Sequence, residues 1–126
     1  MYTNQTRDRF NPGTDLTAVA AVDVTGKTFV AYAGPMRKGN ITVRPAAAGK
    51  PVAGVAKYDA TTDHLVGVAR GSSRVLTVTT DTPLTAGDPV EVGDGGRATK
   101  AITGTVVGWA ADNAEANTDA LISLAN

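Results

Sequence analysis

Through most of the chain, apolar and polar positions alternate with a period of two, which is the spacing of a half-buried β-strand. Ala18, Ala20, Val22 and Val24 fall on one face of a predicted first strand, with Thr17, Val19, Ala21 and Asp23 on the other. Thr25-Gly26-Lys27 supplies a turn, and residues 28–33 read as the returning strand of a hairpin. Ile41-Thr42-Val43-Arg44 alternates between Gly39-Asn40 and Pro45. Residues 51–56 and 65–69 are two further apolar runs, and Gly71-Ser72-Ser73 turns the chain into a strand over 74–79. Val90-Glu91-Val92 leads through the hairpin signal Gly93-Asp94-Gly95-Gly96 to residues 97–101, and runs at 105–110 and 120–124 complete the pattern. The prediction is an all-β domain, a compact small barrel or sandwich of about nine or ten short strands.

Breakers explain why helices find no room. Six prolines and 14 glycines are scattered along 126 residues, leaving helical turns only at 59–63 and 112–117, both too short to stand without packing. Residues 1–15 differ from the rest: they are polar, carry Arg7, Asp8 and Arg9, and include the breaker pair Pro12-Gly13. Such a segment buries too little apolar surface to order itself. It reads as a flexible N-terminal arm ahead of a β domain at 16–126: either a frayed terminus, or a segment ordered against a partner with Tyr2 and Phe10 as apolar anchors. A faint internal repeat also runs through the domain. Val52-Ala53-Gly54-Val55-Ala56 lines up with Val106-Val107-Gly108-Trp109-Ala110, Asp59-Ala60 with Asn113-Ala114, and, within one or two residues, Leu65-Val66-Gly67-Val68 with Leu121-Ile122-Ser123-Leu124. Duplication and convergent β patterning both account for it.

Composition narrows the functional classes. Twelve basic residues balance twelve acidic ones, so there is no basic stripe to displace counterions from nucleic acid and little repulsion against self-association. There is no cysteine, hence no disulfide framework and no thiolate metal site, which suits a reducing cytoplasm. No apolar run approaches the roughly 20 residues of a membrane helix, and the first ten residues lack the apolar core of a signal peptide. The expectation is a protein made in the cytoplasm, with no membrane partner and no direct nucleic-acid partner. The triplets Asn4-Gln5-Thr6 and Asn40-Ile41-Thr42 then carry little weight as glycosylation sites.

Catalytic provision is thin. His64, the single histidine, sits in a polar excursion, and no Gly-x-Ser-x-Gly elbow accompanies Ser72, Ser73 or Ser123. The acidic stretch at 112–119 offers oxygen ligands. Counted from Asp112, however, the calcium-loop positions 3, 5 and 6 hold Ala114, Ala116 and Asn117 instead of two ligands and a glycine. Gly93-Asp94-Gly95-Gly96 lacks the following Lys-Ser or Lys-Thr of a phosphate loop. The expectation is no catalytic residue, no metal and no cofactor. Arg70 and Arg74, flanking Gly71-Ser72-Ser73, would fit an exposed carboxylate or phosphate, although a solvated loop is the plainer account. Trp109, the lone tryptophan, is expected in a core or between subunits. Together with Arg70 and Arg74 it forms the candidate subunit-interface set.

Several segments carry a resemblance: residues 14–20, Val24-Thr25-Gly26-Lys27-Thr28-Phe29-Val30, residues 52–60, Ala86-Gly87-Asp88-Pro89-Val90-Glu91-Val92 and Val106-Val107-Gly108-Trp109-Ala110. Spread over residues 14–125, they resemble the capsid decoration, or cement, proteins of tailed bacteriophages, particularly the small β-rich kind from phages of actinobacteria. The motifs describe strands and turns and no chemical site. The resemblance implies a β-rich homotrimer on the outside of an expanded capsid, bridging subunits of the major capsid protein, with an N-terminal arm laid on the shell. Tyr2, Arg7, Arg9 and Phe10 are then the expected capsid contacts. Two other readings are a tail-tube or baseplate β protein, which would form rings or tubes, and a carbohydrate-binding module. One Trp and three Tyr are thin provision for the latter.

Overall fold

The computed structural model describes residues 3–6, 9, 10 and 13–126. Ten strands form two closed five-stranded barrels. The first is built from β1 (Leu16–Ala20), β2 (Phe29–Tyr32), β3 (Ile41–Pro45), β4 (Gly54–Ala56) and β5 (Leu65–Ala69). The second is built from β6 (Val75–Thr80), β7 (Pro89–Val92), β8 (Ala98–Lys100), β9 (Gly108–Ala110) and β10 (Thr118–Leu124). The all-β expectation holds, and closure removes the sheet edges that invite aggregation.

The barrels share one topology. Around the first, the order is β1-β3-β2-β4-β5; around the second it is β6-β8-β7-β9-β10. In both, the first and third strands run parallel and every other pair is antiparallel. The crossings outside the sheets repeat as well. Val24 bridges Ala60 as Leu84 bridges Ala114. The Gly26 amide donates to Asp59 Oδ1 at 2.8 Å, as the Ala86 amide does to Asn113 Oδ1 at 2.9 Å. The faint sequence repeat is therefore a repeat of structure. In its last block the structural register differs by two residues: Lys57 pairs with Gly67 where Ala111 pairs with Leu121, so Gly67 matches Leu121.

Gly54 and Gly108 show why the repeat needs glycine. A Cβ on Gly108 would stand 2.6 Å from the Ser123 carbonyl oxygen and 2.8 Å from Ile122 Cγ2. One on Gly54 would overlap the Ala69 carbonyl and Val68 in the same way. Both positions lie where β4 or β9 crosses tightly over the last strand of its barrel.

Two local expectations are corrected. First, β1 ends at Ala20, and β1 and β2 form no hairpin, because β3 lies between them. The Ala20 amide donates to the His64 carbonyl while its own carbonyl accepts from Asp63, and the Val24–Ala60 bridge then carries the chain across the barrel mouth. Second, residues 59–63 and 112–117 contain no helix: Ala60 and Ala114 are drawn into bridges with Val24 and Leu84, and each segment then ends in a tight turn with Asp63 or Asn117 at positive φ. The only helical element among the described residues is the short 3₁₀ turn Asp94–Gly96, which joins β7 to β8 as the predicted hairpin connection.

The first barrel is filled by small and branched side chains, among them Ala18, Val30, Val43, Val66 and Val68, all fully buried. The second is filled by Val78, Val90, Val92, Ala98, Ile122 and Leu124, and it also packs on Phe29, Ala46 and Val55 from the first barrel. At that junction β6 meets β8 only at Thr80–Ala98, whereas β1 meets β3 over three residue pairs. The Thr79 amide, next along β6, donates instead to the Lys27 carbonyl at 2.9 Å. Gly96 lies so close to the Phe29 carbonyl that a Cβ would stand 2.6 Å from it, and its φ of +77° is itself a glycine conformation. Across the rim, Lys27 Nζ pairs with Asp119 at 2.8 Å.

Candidate interaction surfaces

The first surface is centred on Asp15. Asp15, just ahead of β1, accepts from Lys57 Nζ with one carboxylate oxygen and from Arg74 Nη1 with the other, each at 2.6 Å. Arg70 Nε donates to the Thr14 carbonyl at 2.9 Å, and its guanidinium lies 6.0 Å from the centroid of the Phe10 ring, the outer reach of a cation–π contact. Arg74 Nη1 also donates to the Arg70 carbonyl, and Gly71 lets the Gly13 backbone come close: a Cβ there would stand 3.0 Å from Gly13 Cα. The hydrogen bond from Lys57, and then that from Arg74, hold the Asp15 carboxyl below the usual carboxylate range, against a smaller opposing effect of burial. With the folded pKa lowered, these pairs add stability above the ordinary carboxylate range and lose it as pH falls through the folded value.

Sequence reasoning singled out Arg70 and Arg74 as a basic pair fitted to a carboxylate. The carboxylate that Arg74 meets is the chain's own Asp15, while Arg70 holds the neighbouring Thr14 carbonyl and lies near Phe10. Asp15 and Lys57 were missed, since 42 positions separate them and no local spacing links them. Arg9 is exposed and Phe10 is partly so. Tyr2 and Arg7, the other expected arm contacts, lie outside the described residues.

The second surface is a row of side chains across the outside of the second barrel. Pro89 on β7 sits opposite Trp109 on β9, Trp109 opposite Ser123 on β10, and Ser123 opposite Val75 on β6. Residues directly opposite share a sheet face, so these four side chains line up, with Leu121 opposite Thr77 in the adjacent row. None is charged. Trp109 is 46% exposed, and Val75 and Leu121 are about as open, so the tryptophan belongs to no core. The corresponding row of the first barrel is Phe29, Val55 and Ala69, joined by the same pairings. It is covered by the second barrel, leaving Phe29 0% and Val55 2% exposed.

Among the described residues, several polar side chains of the loops are already engaged by near neighbours. A cleft of about 460 Å³ is lined by Asp23, Asp59, Thr25, Thr61 and His64 among others. Asp23 Oδ1 already accepts from the amide and hydroxyl of Thr62, and Asp59 from Gly26. His64 Nδ1 faces Thr61 Oγ1 at 2.9 Å, within its own loop. In the acidic stretch, Asp112 accepts from the Asn113 amide while Asp119 turns to Lys27 and Thr79, so the carboxylates do not converge. Among the described residues no three His, Asp or Glu side chains gather as a metal site.

No family model and no curated protein matches the chain. Among solved structures, the crystal structure of the N base of head fiber gp8.5 in bacteriophage phi29 superposes with a TM-score of 0.75, over 89% of this chain and 93% of that one. The chain shares the fold of that fiber base. At 22% identity the likeness to the fiber base is one of fold, and it spans nearly all of both chains, so both barrels are included.

Proposed function

We propose that this chain is a structural protein of a phage virion that binds the outside of the expanded capsid and stabilises it by bridging subunits of the major capsid protein. The observation that carries this reading is the fold shared, over nearly the full length of both chains, with the N base of a phage head fiber. The decoration-protein resemblance of residues 14–125 leads to the same outer surface. Among the described residues both sheets close into barrels, so strand addition to the shell falls to the arm. Each main-chain hydrogen bond made there adds only on the order of 1 kcal/mol, and repetition over a closed lattice multiplies the effect. The Asp15 grip fixes where the arm leaves the body.

The test is binding to expanded shells of the encoding phage that lack this protein, followed by cosedimentation and by the temperature at which the shells open. The full chain should bind and raise that temperature. A chain lacking residues 1–13 should keep both barrels and lose shell binding; unchanged affinity would remove the arm from the account. A second reading, favoured by the neighbour being the base of a fiber, is that the chain roots a longer projection on the head. Micrographs of decorated shells separate the two, since only the second places a fiber above each body.

A further inference from the structure

We propose that the uncharged row on the second barrel, centred on Trp109 with Pro89, Val75 and Leu121, is where another copy of this chain docks, row against row, in a closed assembly.

The same position of the same fold occurs twice in this molecule. On the first barrel the Phe29–Val55 row is buried, and what buries it is a barrel of this chain. On the second barrel the Pro89–Trp109 row keeps its apolar character and is left open. Apolar sheet faces are kept where something covers them, and the cover already used for this face is a β-barrel of this sequence. An exposed tryptophan flanked by aliphatic side chains is also the kind of anchor that concentrates binding energy at protein interfaces. With twelve basic against twelve acidic residues, no net charge opposes the approach of a second copy.

The geometry also selects the mode. The first barrel docks where β6 and β8 have separated to a single residue pair and the Thr79 amide turns to Lys27. The first barrel offers no equivalent socket, because β1 and β3 are zipped over three pairs. A neighbour therefore cannot repeat the internal docking head to tail, an arrangement that grows into open filaments unless its rotation closes a ring. The row instead meets its own counterpart around a rotation axis, which closes the assembly.

Trp109 is the only tryptophan, so its fluorescence reports this face alone. The experiment is sedimentation velocity of the full chain across a dilution series, read in parallel with tryptophan emission. The expected result is a discrete oligomer with blue-shifted emission, reverting to single chains with red-shifted emission in step with dilution. Val75→Glu, which retains the tryptophan and replaces a half-exposed side chain, should weaken association by about tenfold or more. Its melting transition should stay unchanged when measured on single chains. Leu121→Lys, at another half-exposed position, is the second variant should the first misfold. Three results would overturn the proposal: single chains at every concentration, an oligomer whose emission matches the dilute chain or which withstands both substitutions, or open-ended growth with concentration.

Discussion

The two barrels have one topology, one set of strand pairings and one pair of crossing glycines, yet they meet the surroundings differently. The first gives up its outer β2–β4 face: Phe29 and Val55 are buried against the second barrel, which opens between β6 and β8 to receive them. The second presents the matching β7–β9 face, with Trp109 in place of Val55 and Pro89 in place of Phe29. Burial is thus a property of where a barrel sits in the pair and not of the barrel fold. It follows that residues at matched positions should differ sharply in their contribution to stability. Asp15, just ahead of the first barrel, is held from both sides, by Lys57 after β4 and by Arg74 just ahead of β6.

The largest expected effect breaks the comparison at its centre. Phe29→Ala removes a fully buried ring and should cost about 3–5 kcal/mol in denaturant unfolding. Pro89→Ala and Trp109→Ala, on the matched open face and measured on dilute chains, should stay near 0.5 kcal/mol. Equal costs on both faces would contradict the assignment. Next is Gly96→Ala, where a Cβ would press on the Phe29 carbonyl and φ is positive. An expected loss of about 2–4 kcal/mol combines backbone strain with overpacking, and calorimetry should show the junction loosening. Gly54→Ala and Gly108→Ala sharpen the repeat itself: each should cost about 1–3 kcal/mol, and similar values would show that the two crossings are built alike. The smallest effect is at the arm. Asp15→Asn removes a carboxylate that is a third exposed, so its ion pairs are screened and should be worth less than about 1 kcal/mol. Hydrogen exchange should nonetheless rise around residues 13–15. Wild-type protein should show the same rise when acidified below the ordinary carboxylate range, because the folded Asp15 pKa is the lower one.

How far the sequence could be read follows from which interactions are local. Alternation found β3 and β6 closely, because each strand has one face inward and one outward, and an apolar run found β5. It ran the first strand on to Val24, since Ala21 to Val24 keep the same alternation although they cross the barrel mouth. The hairpin expected at Thr25-Gly26-Lys27 failed for a related reason: the turn is real, but which strand β2 pairs with is decided by closure with β3 and β4, far along the chain. The match of Gly54 with Gly108 exposed the repeat, while its consequence, one covered row and one open row, depends on how two barrels pack. Arg70 and Arg74 were visible as a basic pair because they are four residues apart. Their tie to Thr14 and Asp15 in the arm was not, because loop closure over more than 50 positions leaves no periodic trace.

The account's central claim is that this two-barrel body is a structural protein on the outside of a phage head. A cryo-electron microscopy reconstruction of the native particle, at a resolution that shows side chains, tests it most directly. The expected result is both barrels standing on the outer surface of the shell, with residues 1–15 running from Asp15 onto the major capsid protein. Density for the chain only in the tail, or a body held to the shell with the arm turned away into solvent, would contradict it.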